Sequence, residues 1–380
     1  MKYFIIAGEA SGDLHASHLM RELKKGDSEA SFKFFGGDLM ANEGGTLLKH
    51  YREMAFMGLF PVLFNLGKIK RNFTLAEQKL LDFKPDVLIL VDYPGFNLRM
   101  AEFAKANGIK VFYYISPKIW AWKTKRVHKV KKFVDEMFTI FPFETDFYKK
   151  YDYKVRFVGN PTIDELSHRP NQQETFSEFI SKNNLPDKPL IALLAGSRRQ
   201  EIVRILPVLA AVSLRFPEYQ FVIAGAPSQS QPLYDEVLGN IPIPVVFEQT
   251  YELLHQSSAA LVASGTATLE TAFLNIPQVV CYRIEAGRLG TWVKDQLIKI
   301  PFISLVNLIG EREIVKELFQ QTCTPDTVSK ELTNLLFDQK YRESMLAGYA
   351  EVLAKLGGPG CAERAASEII RLLKKKQVSE

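Results

Sequence analysis

Three side chains in this 380-residue chain stand where they could do chemistry: Asp92, Arg198 and Glu270. Asp92 follows the apolar run of residues 86–91 and precedes the turn YPGFN, which ends at Asn97. A carboxylate at a strand's exit is a candidate general base, because burial at a sheet edge raises its pKa toward working pH. The plainer use of such an aspartate is to cap the helix beginning near Asn97, although Asn97 could cap that helix itself. Arg198 comes directly after Gly196 and Ser197, at the end of a second apolar run. Ser197 and Gln200 have the spacing of a capping box, which predicts a helix from Arg198. Helix-start amides beside a forked guanidinium suit a diphosphate, and the alternative is an arginine pair on a solvated helix face. Glu270 lies about one helical turn beyond Ser264, Gly265 and Thr266. There the turn's amides would hold phosphate while the carboxylate accepts two ribose hydroxyls. Alone, that last pattern is weak, and it gains force from the AGSR turn upstream.

The elements that must carry these residues are visible in the same pattern. Residues 2–13 (KYFIIAGEASGD) and 189–200 (PLIALLAGSRRQ) read alike, and residues 259–270 (AALVASGTATLE) repeat the form. Each is a buried strand breaking at a glycine turn into a helix start, the geometry that presents backbone amides to an anion. Further strands are expected at residues 32–35, 86–91, 110–115, 136–140 and 155–158, then at 220–224, 244–247 and 278–281. Helical patterns at 11–25, 97–107 and 145–151 separate strands of the first half. Continuous apolar strands alternating with amphipathic helices predict parallel sheets covered on both faces. The expected fold is therefore two Rossmann-like, doubly wound α/β domains facing a cleft. Residues 1–166 form the first domain, the polar stretch 167–188 a linker, and 189–340 the second domain. The helices of 341–380 are free to pack back on the first.

Composition narrows the function. A 47% apolar and 24% charged chain is an ordinary globular one, and a net charge of +5 favours anionic ligands without implying nucleic acid. Cys281, Cys323 and Cys361 are scattered, so neither a disulfide framework nor a zinc site is indicated. His15 and His18 share a helix face but lack HExxH or clustered carboxylates, so no metal is expected. Gly8, Glu9, Ser11, Gly12 and Asp13 do not form GxGxxG, and neither GxxxxGK[ST] nor GxSxG occurs. Nicotinamide binding, P-loop chemistry and serine esterase chemistry are disfavoured. The bland reading of the first turn has Ser11 as a helix cap. The chain starts on a strand without a basic leader, which predicts a cytoplasmic location, and no run is long enough to span a bilayer.

Two stretches hint at lipid. Residues 54–66 (MAFMGLFPVLFNL) contain Phe56, Met57, Leu59 and Phe60 and are followed by Lys68, Lys70 and Arg71. An apolar segment with a basic fringe fits an anionic membrane interface or an acyl-chain groove, and a packed core segment is the common alternative. Residues 117–132 combine Trp120, Trp122, Lys123 and Arg126, a headgroup-level pattern whose alternative is a solvated helix face.

Together these residues resemble the lipid-A-disaccharide synthase family. The resemblance is carried in order by GEASGD (8–13), MG (57–58), DYPGFN (92–97), YYISPKIWAWKTKRV (113–127), FPFE (141–144), GSR (196–198), ASGTATLE (263–270), YR (282–283) and SLVNL (304–308). Ala195, Val306 and Asn160 depart from the family's usual proline, proline and histidine, and none is a proposed catalytic group. The resemblance implies an inverting, cofactor-free and metal-independent glycosyltransferase of the two-domain GT-B type. Its donor would be UDP-2,3-diacylglucosamine and its acceptor 2,3-diacylglucosamine 1-phosphate, giving a β-1,6 disaccharide and UDP. It implies a peripheral enzyme on the inner face of the Gram-negative inner membrane, with a homodimer allowed. By site, Asp92 would be the base, and Gly196, Ser197, Arg198, Ser264, Gly265, Thr266, Glu270 and Asn307 would bind the donor. Glu9, Ser11, Gly12, Asp13, Met57 and Asn97 would line the acceptor side. The alternatives are another UDP-sugar enzyme on this architecture, such as a hydrolysing epimerase, or a non-enzymatic membrane-surface binder.

Overall fold

The apolar runs that open the two halves become the inner strands of two parallel sheets. The computed structural model describes residues 1–54, 66–121, 124–167, 169, 171–263, 265–283 and 301–377. Contacts divide the chain into one unit of Met1–Asp164 with Leu356–Glu380 and a second of Glu165–Lys355.

In the first unit the described strands are β1 (Lys2–Ala7), β2 (Ser31–Gly36), β3 (Thr46–His50), β4 (Val87–Val91), β5 (Val111–Tyr114), β6 (Glu136–Thr139) and β7 (Arg156–Phe157). They pair in parallel in the order β3-β2-β1-β4-β5-β6-β7. Alternate residues feed opposite faces, as the pleat requires. Tyr3, Ile5 and Ala7 pack with Leu19 and Leu23 of helix Ala10–Gly26 and with Ile369 and Leu373 of helix Cys361–Gln377. Phe4 and Ile6 pack with Leu80 of helix Leu66–Phe83 and with Phe96 and Met100 of helix Pro94–Ala106. The strand order reverses between β1 and β4, so the turns after those two strands sit at a switch point, where doubly wound sheets hold ligands.

The second unit repeats the plan with β8 (Leu190–Leu194), β9 (Gln220–Gly225), β10 (Val245–Phe247), β11 (Ser257–Ala263), β12 (Gln278–Tyr282) and β13 (Lys316–Phe319). The order is β10-β9-β8-β11-β12-β13, again parallel, with the switch between β8 and β11. The stretch expected as a linker carries helix Phe176–Lys182, capped by Thr175 and Glu178, and Phe179 is buried with Leu190 and Val222. The last segment is shared out. Helix Gln339–Leu356 lies almost wholly in the second unit, while Cys361–Gln377 joins the first. Asp164 anchors that return by accepting the amides of Gly360 (2.5 Å) and Cys361 (2.9 Å). Strands β3 and β13 were not expected from sequence. Each is an edge strand, and partial exposure leaves it without a continuous apolar run. Among the described residues no helix is long and apolar enough to cross a membrane.

Candidate functional site

In the first unit the turns after β1 and β4 interlock. Asp92 and Tyr93 both have left-handed backbones, with φ of +42° and +49°. Such a pair persists only when its surroundings over-determine it. The Asn97 side-chain amide donates to the carbonyls of Asp92 (2.7 Å) and Val91 (3.1 Å), and the Tyr113 hydroxyl donates to Asp92 O at 2.5 Å. Tyr93 lies over Gly8, where an added Cβ would come within 2.2 Å of its ring. The Tyr93 hydroxyl donates to Met54 O at 3.0 Å. Burial pushes the Asp92 carboxyl up, against the charges of Lys118 and His15 and the Tyr93 N–H. Burial also raises Tyr93, with the Glu9 carboxylate adding to it, which sets Glu9 beside this turn. The arrangement suits a carboxylate that takes a proton: desolvated, backed by a cation, and fixed by two neighbours.

Several expected acceptor-side residues have other work. Asp13 is buried and accepts the amides of Gly37 (2.7 Å), Leu39 (3.1 Å) and Met40 (3.2 Å), so it caps helix Asp38–Asn42 instead of lining a site. Asn97 lies inside helix Pro94–Ala106, and its buried amide positions Asp92 from behind. Neither Asp92 nor Asn97 is the helix cap, because Pro94 and Tyr93 start the helix earlier than the sequence pattern suggested. Ser11 is exposed inside its helix, whose N-cap is Glu9, and that helix has no side-chain cap bond. Gly12 is buried against β1, where a built Cβ would make ordinary contact with Ala7 Cβ at 3.4 Å. Trp120 is half-buried, and its ring meets Phe143 edge-on at 4.8 Å. Arg126 is half-buried ahead of helix Val127–Phe133. Phe56, Met57, Leu59, Phe60, Trp122 and Lys123 lie outside the described residues.

In the second unit β8 runs into Gly196, at φ +105°, and helix Arg199–Ser213 follows with Arg198 as N-cap. The expected Ser197–Gln200 box is not the one formed. Glu201 accepts the amides of Ser197 (3.0 Å) and Arg198 (3.2 Å), one residue later than the pattern placed it. A side chain at Gly196 would strike that carboxylate, 2.7 Å from a built Cβ. The Arg198 side chain is 70% exposed and 4.0 Å from Glu201. Tyr282 at the end of β12 feels the charges of both Arg198 and Glu201. Ser228 and Gln229 donate to Ser197 O at 2.9 and 3.4 Å, which steadies the turn.

After β11, Gly265 and Thr266 open helix Ala267–Phe273, and Ser264 lies outside the described residues. Burial and the Glu165 carboxylate push Glu270 up to about 7, with the Thr266 hydroxyl opposing them. Asn307 departs from its expected role in donor contact. Its amide is buried and bonded to Val315 O (2.8 Å), Glu317 (2.9 Å) and the amides of Ile314 (2.7 Å) and Val315 (2.9 Å). Asn160 likewise serves the backbone, accepting from Thr162 N at 2.9 Å. Sequence reasoning missed Lys118, Glu165 and Glu201. Of these only Glu201 carried a signal, being three residues past the N-cap. Among the described residues no group of three or more His, Cys, Asp or Glu side chains could hold a metal ion.

Strand-end turns at switch points are where open α/β sheets hold ligands. The sheet plan has solved counterparts. UDP-GlcNAc 2-epimerase from Neisseria meningitidis, bound to UDP-GlcNAc, superposes with TM-score 0.67 at 15% identity over 98% of this chain and all of that one. Lipid-A-disaccharide synthase of Myxococcus xanthus is 38% identical over 98% of this chain and 97% of its own length. The enzyme of the same name from Geobacter sulfurreducens is 36% identical over 99% and 98%. The family model for lipid-A-disaccharide synthetase matches residues 3–367, from β1 into the last helix, and so takes in both turns. On that whole-length match, the chain belongs to the lipid-A-disaccharide synthetase family.

Proposed function

We propose that this chain, by family a glycosyltransferase of lipid A biosynthesis, joins two acylated glucosamines. The donor is UDP-2,3-diacylglucosamine and the acceptor 2,3-diacylglucosamine 1-phosphate. Asp92 removes the proton of the acceptor 6-hydroxyl as that oxygen attacks the anomeric carbon from the side opposite UDP. The new C–O bond forms as the sugar–phosphate bond breaks, and the product is the inverted β-1,6 disaccharide 1-phosphate. The electron pair leaves with UDP, where Arg198 and the amides of the Gly196 and Gly265 turns receive its charge. Glu270 accepts the ribose hydroxyls. Arginine and helix-start amides carry the leaving-group charge in this reading, so it requires no metal.

The observation that most supports it is the Asp92 turn, a raised carboxyl held at a switch point by Asn97 and Tyr113. Glu9 and Met57 serve the acceptor, and residues 54–66 receive acyl chains. Trp122, Lys123 and Arg126 meet an anionic surface, which makes the enzyme peripheral on the inner face of the inner membrane. Purified protein incubated with both substrates in EDTA should yield disaccharide 1-phosphate by mass spectrometry. Absence of that product, or a strict demand for added magnesium, would defeat the reading.

A further inference from the structure

The first unit repeats the strand–glycine–helix form of the second, but its glycine serves a different purpose. Gly196, after β8, has a φ of +105°, a conformation that itself favours glycine. Gly8, after β1, has no positive φ, so its own backbone does not require glycine. The requirement comes from a neighbour. A Cβ built on Gly8 falls 2.2 Å from Cδ1, 2.4 Å from Cγ and 2.6 Å from Cε1 of the Tyr93 ring. Cγ is the root of that ring, so swinging a flexible end aside cannot relieve the clash. Tyr93 is seated on the bare backbone of Gly8.

Two further contacts hold the ring there. Its hydroxyl donates to Met54 O at 3.0 Å, and the Phe96 ring lies beside it, centroid to centroid 6.0 Å. Phe96 is in turn stacked on Phe73 at 4.2 Å, in the core that Leu80 and Met100 share. The ring therefore has little room to retreat from Gly8.

The seat matters because of the residue joined to Tyr93. Asp92 and Tyr93 are consecutive left-handed residues, a backbone that side chains other than glycine rarely adopt. Asn97 and Tyr113 grip the pair at the Asp92 carbonyl, and Asn97 N donates to Tyr93 O at 3.1 Å. The Tyr93 side chain adds a tie to the turn after β1 and to Met54. Asp92 and Tyr93 share one planar peptide, so a displacement of the second is passed to the first.

We propose that Tyr93, seated on Gly8, is a positioning residue that aims the Asp92 carboxylate, and that Gly8 is glycine in order to seat it. This rests on the reading of Asp92 as the base.

The test is a double-mutant cycle of Gly8→Ala, Tyr93→Ala and both together. Each is read as kcat, KM for the UDP-sugar, UDP affinity and melting temperature. Gly8→Ala should lower kcat by about a hundredfold, the scale of about 1 Å of displacement at a reacting group. KM and UDP affinity should stay within about twofold, because a misplaced base is felt in kcat alone. Tyr93→Ala should lose a similar factor. The added methyl then has room, so the double variant should be no slower than Tyr93→Ala. Tyr93→Phe keeps the seat and gives up one hydroxyl bond, so its kcat should lie within about fivefold of wild type.

Wild-type kcat in a folded Gly8→Ala or in Tyr93→Ala, or losses that multiply in the double variant, would overturn the proposal. If Gly8→Ala does not fold, Tyr93→Ala should make the same methyl tolerable. An unfolded double variant beside a folded Tyr93→Ala would be equally fatal. Failure of the base reading is separable. Asp92→Asn with normal turnover would defeat that reading whatever Gly8→Ala does. An undiminished kcat for Gly8→Ala, in an enzyme that Asp92→Asn disables, would defeat the seat alone.

Discussion

The Asp92 turn and the Arg198 turn each flank the switch point of their sheet, the first after β4 and the second after β8, yet they are built in opposite ways. Asp92 is locked by a left-handed residue pair, an asparagine amide from behind and a tyrosine hydroxyl, and burial has raised its carboxyl. Arg198 stands out in solvent at the end of a glycine turn, while the amides beneath it are engaged by Glu201. The contrast suits the chemistry proposed for each. A carboxylate becomes a useful base only when desolvation lifts its pKa. A guanidinium stays charged in any setting, so it can remain exposed and reach for a phosphate.

Substitutions can break or sharpen that contrast. Asp92→Asn should give the largest effect, a fall in turnover of about a thousandfold in the disaccharide assay, because the amide cannot take the acceptor proton. Near-normal turnover would remove the base. Arg198→Ala should lower turnover by about a hundredfold and weaken UDP measurably, as loss of a preorganised charge partner does. If rate and UDP binding were both unchanged, the leaving group would be stabilised elsewhere.

Glu270 links the second turn to pH. Its pKa is raised from 4.5 to about 7, so the charged form, the one proposed to accept the ribose hydroxyls, gains as pH rises through neutrality. UDP affinity should therefore climb by up to about tenfold from pH 6 to pH 8, and Glu270→Gln should flatten the curve. Stability runs the other way. A raised folded pKa favours the fold below pH 4.5, and that contribution is lost as pH climbs to about 7. Thermal melts of Glu270→Gln should lack that slope. The smallest effect is expected for Glu201→Gln, which takes a competing carboxylate off the Ser197 and Arg198 amides. UDP should bind about threefold tighter in calorimetry, the scale of one modest hydrogen bond. Weaker binding would instead make Glu201 a support for the turn.

What could be read in the sequence was what repeats or what is buried on both faces. The runs ending at Ala7, Val91 and Leu194 were legible because strands covered on two sides must be apolar throughout. Edge strands β3 and β13 escaped notice because their partly exposed positions break the apolar run. At the sites, residue type was visible and direction was not. Asp13 and Asn307 stand in motifs that invite a ligand, yet both bond to backbone amides of their own unit. Glu201 took the capping role given to Ser197 and Gln200 because the helix begins one residue later. Lys118 was read as part of a membrane stretch, since nothing in a linear pattern brings a residue after β5 to one after β4. That adjacency comes from parallel pairing of Val91 with Tyr114.

The central claim is that proton removal and leaving-group stabilisation belong to separate turns, one in each unit. Calorimetric titration of UDP into Asp92→Asn, beside the wild type and Arg198→Ala, tests it most directly. The account predicts a wild-type dissociation constant for the inactive Asp92→Asn and a clearly weaker one for Arg198→Ala. UDP binding lost to the same degree in both variants would contradict it.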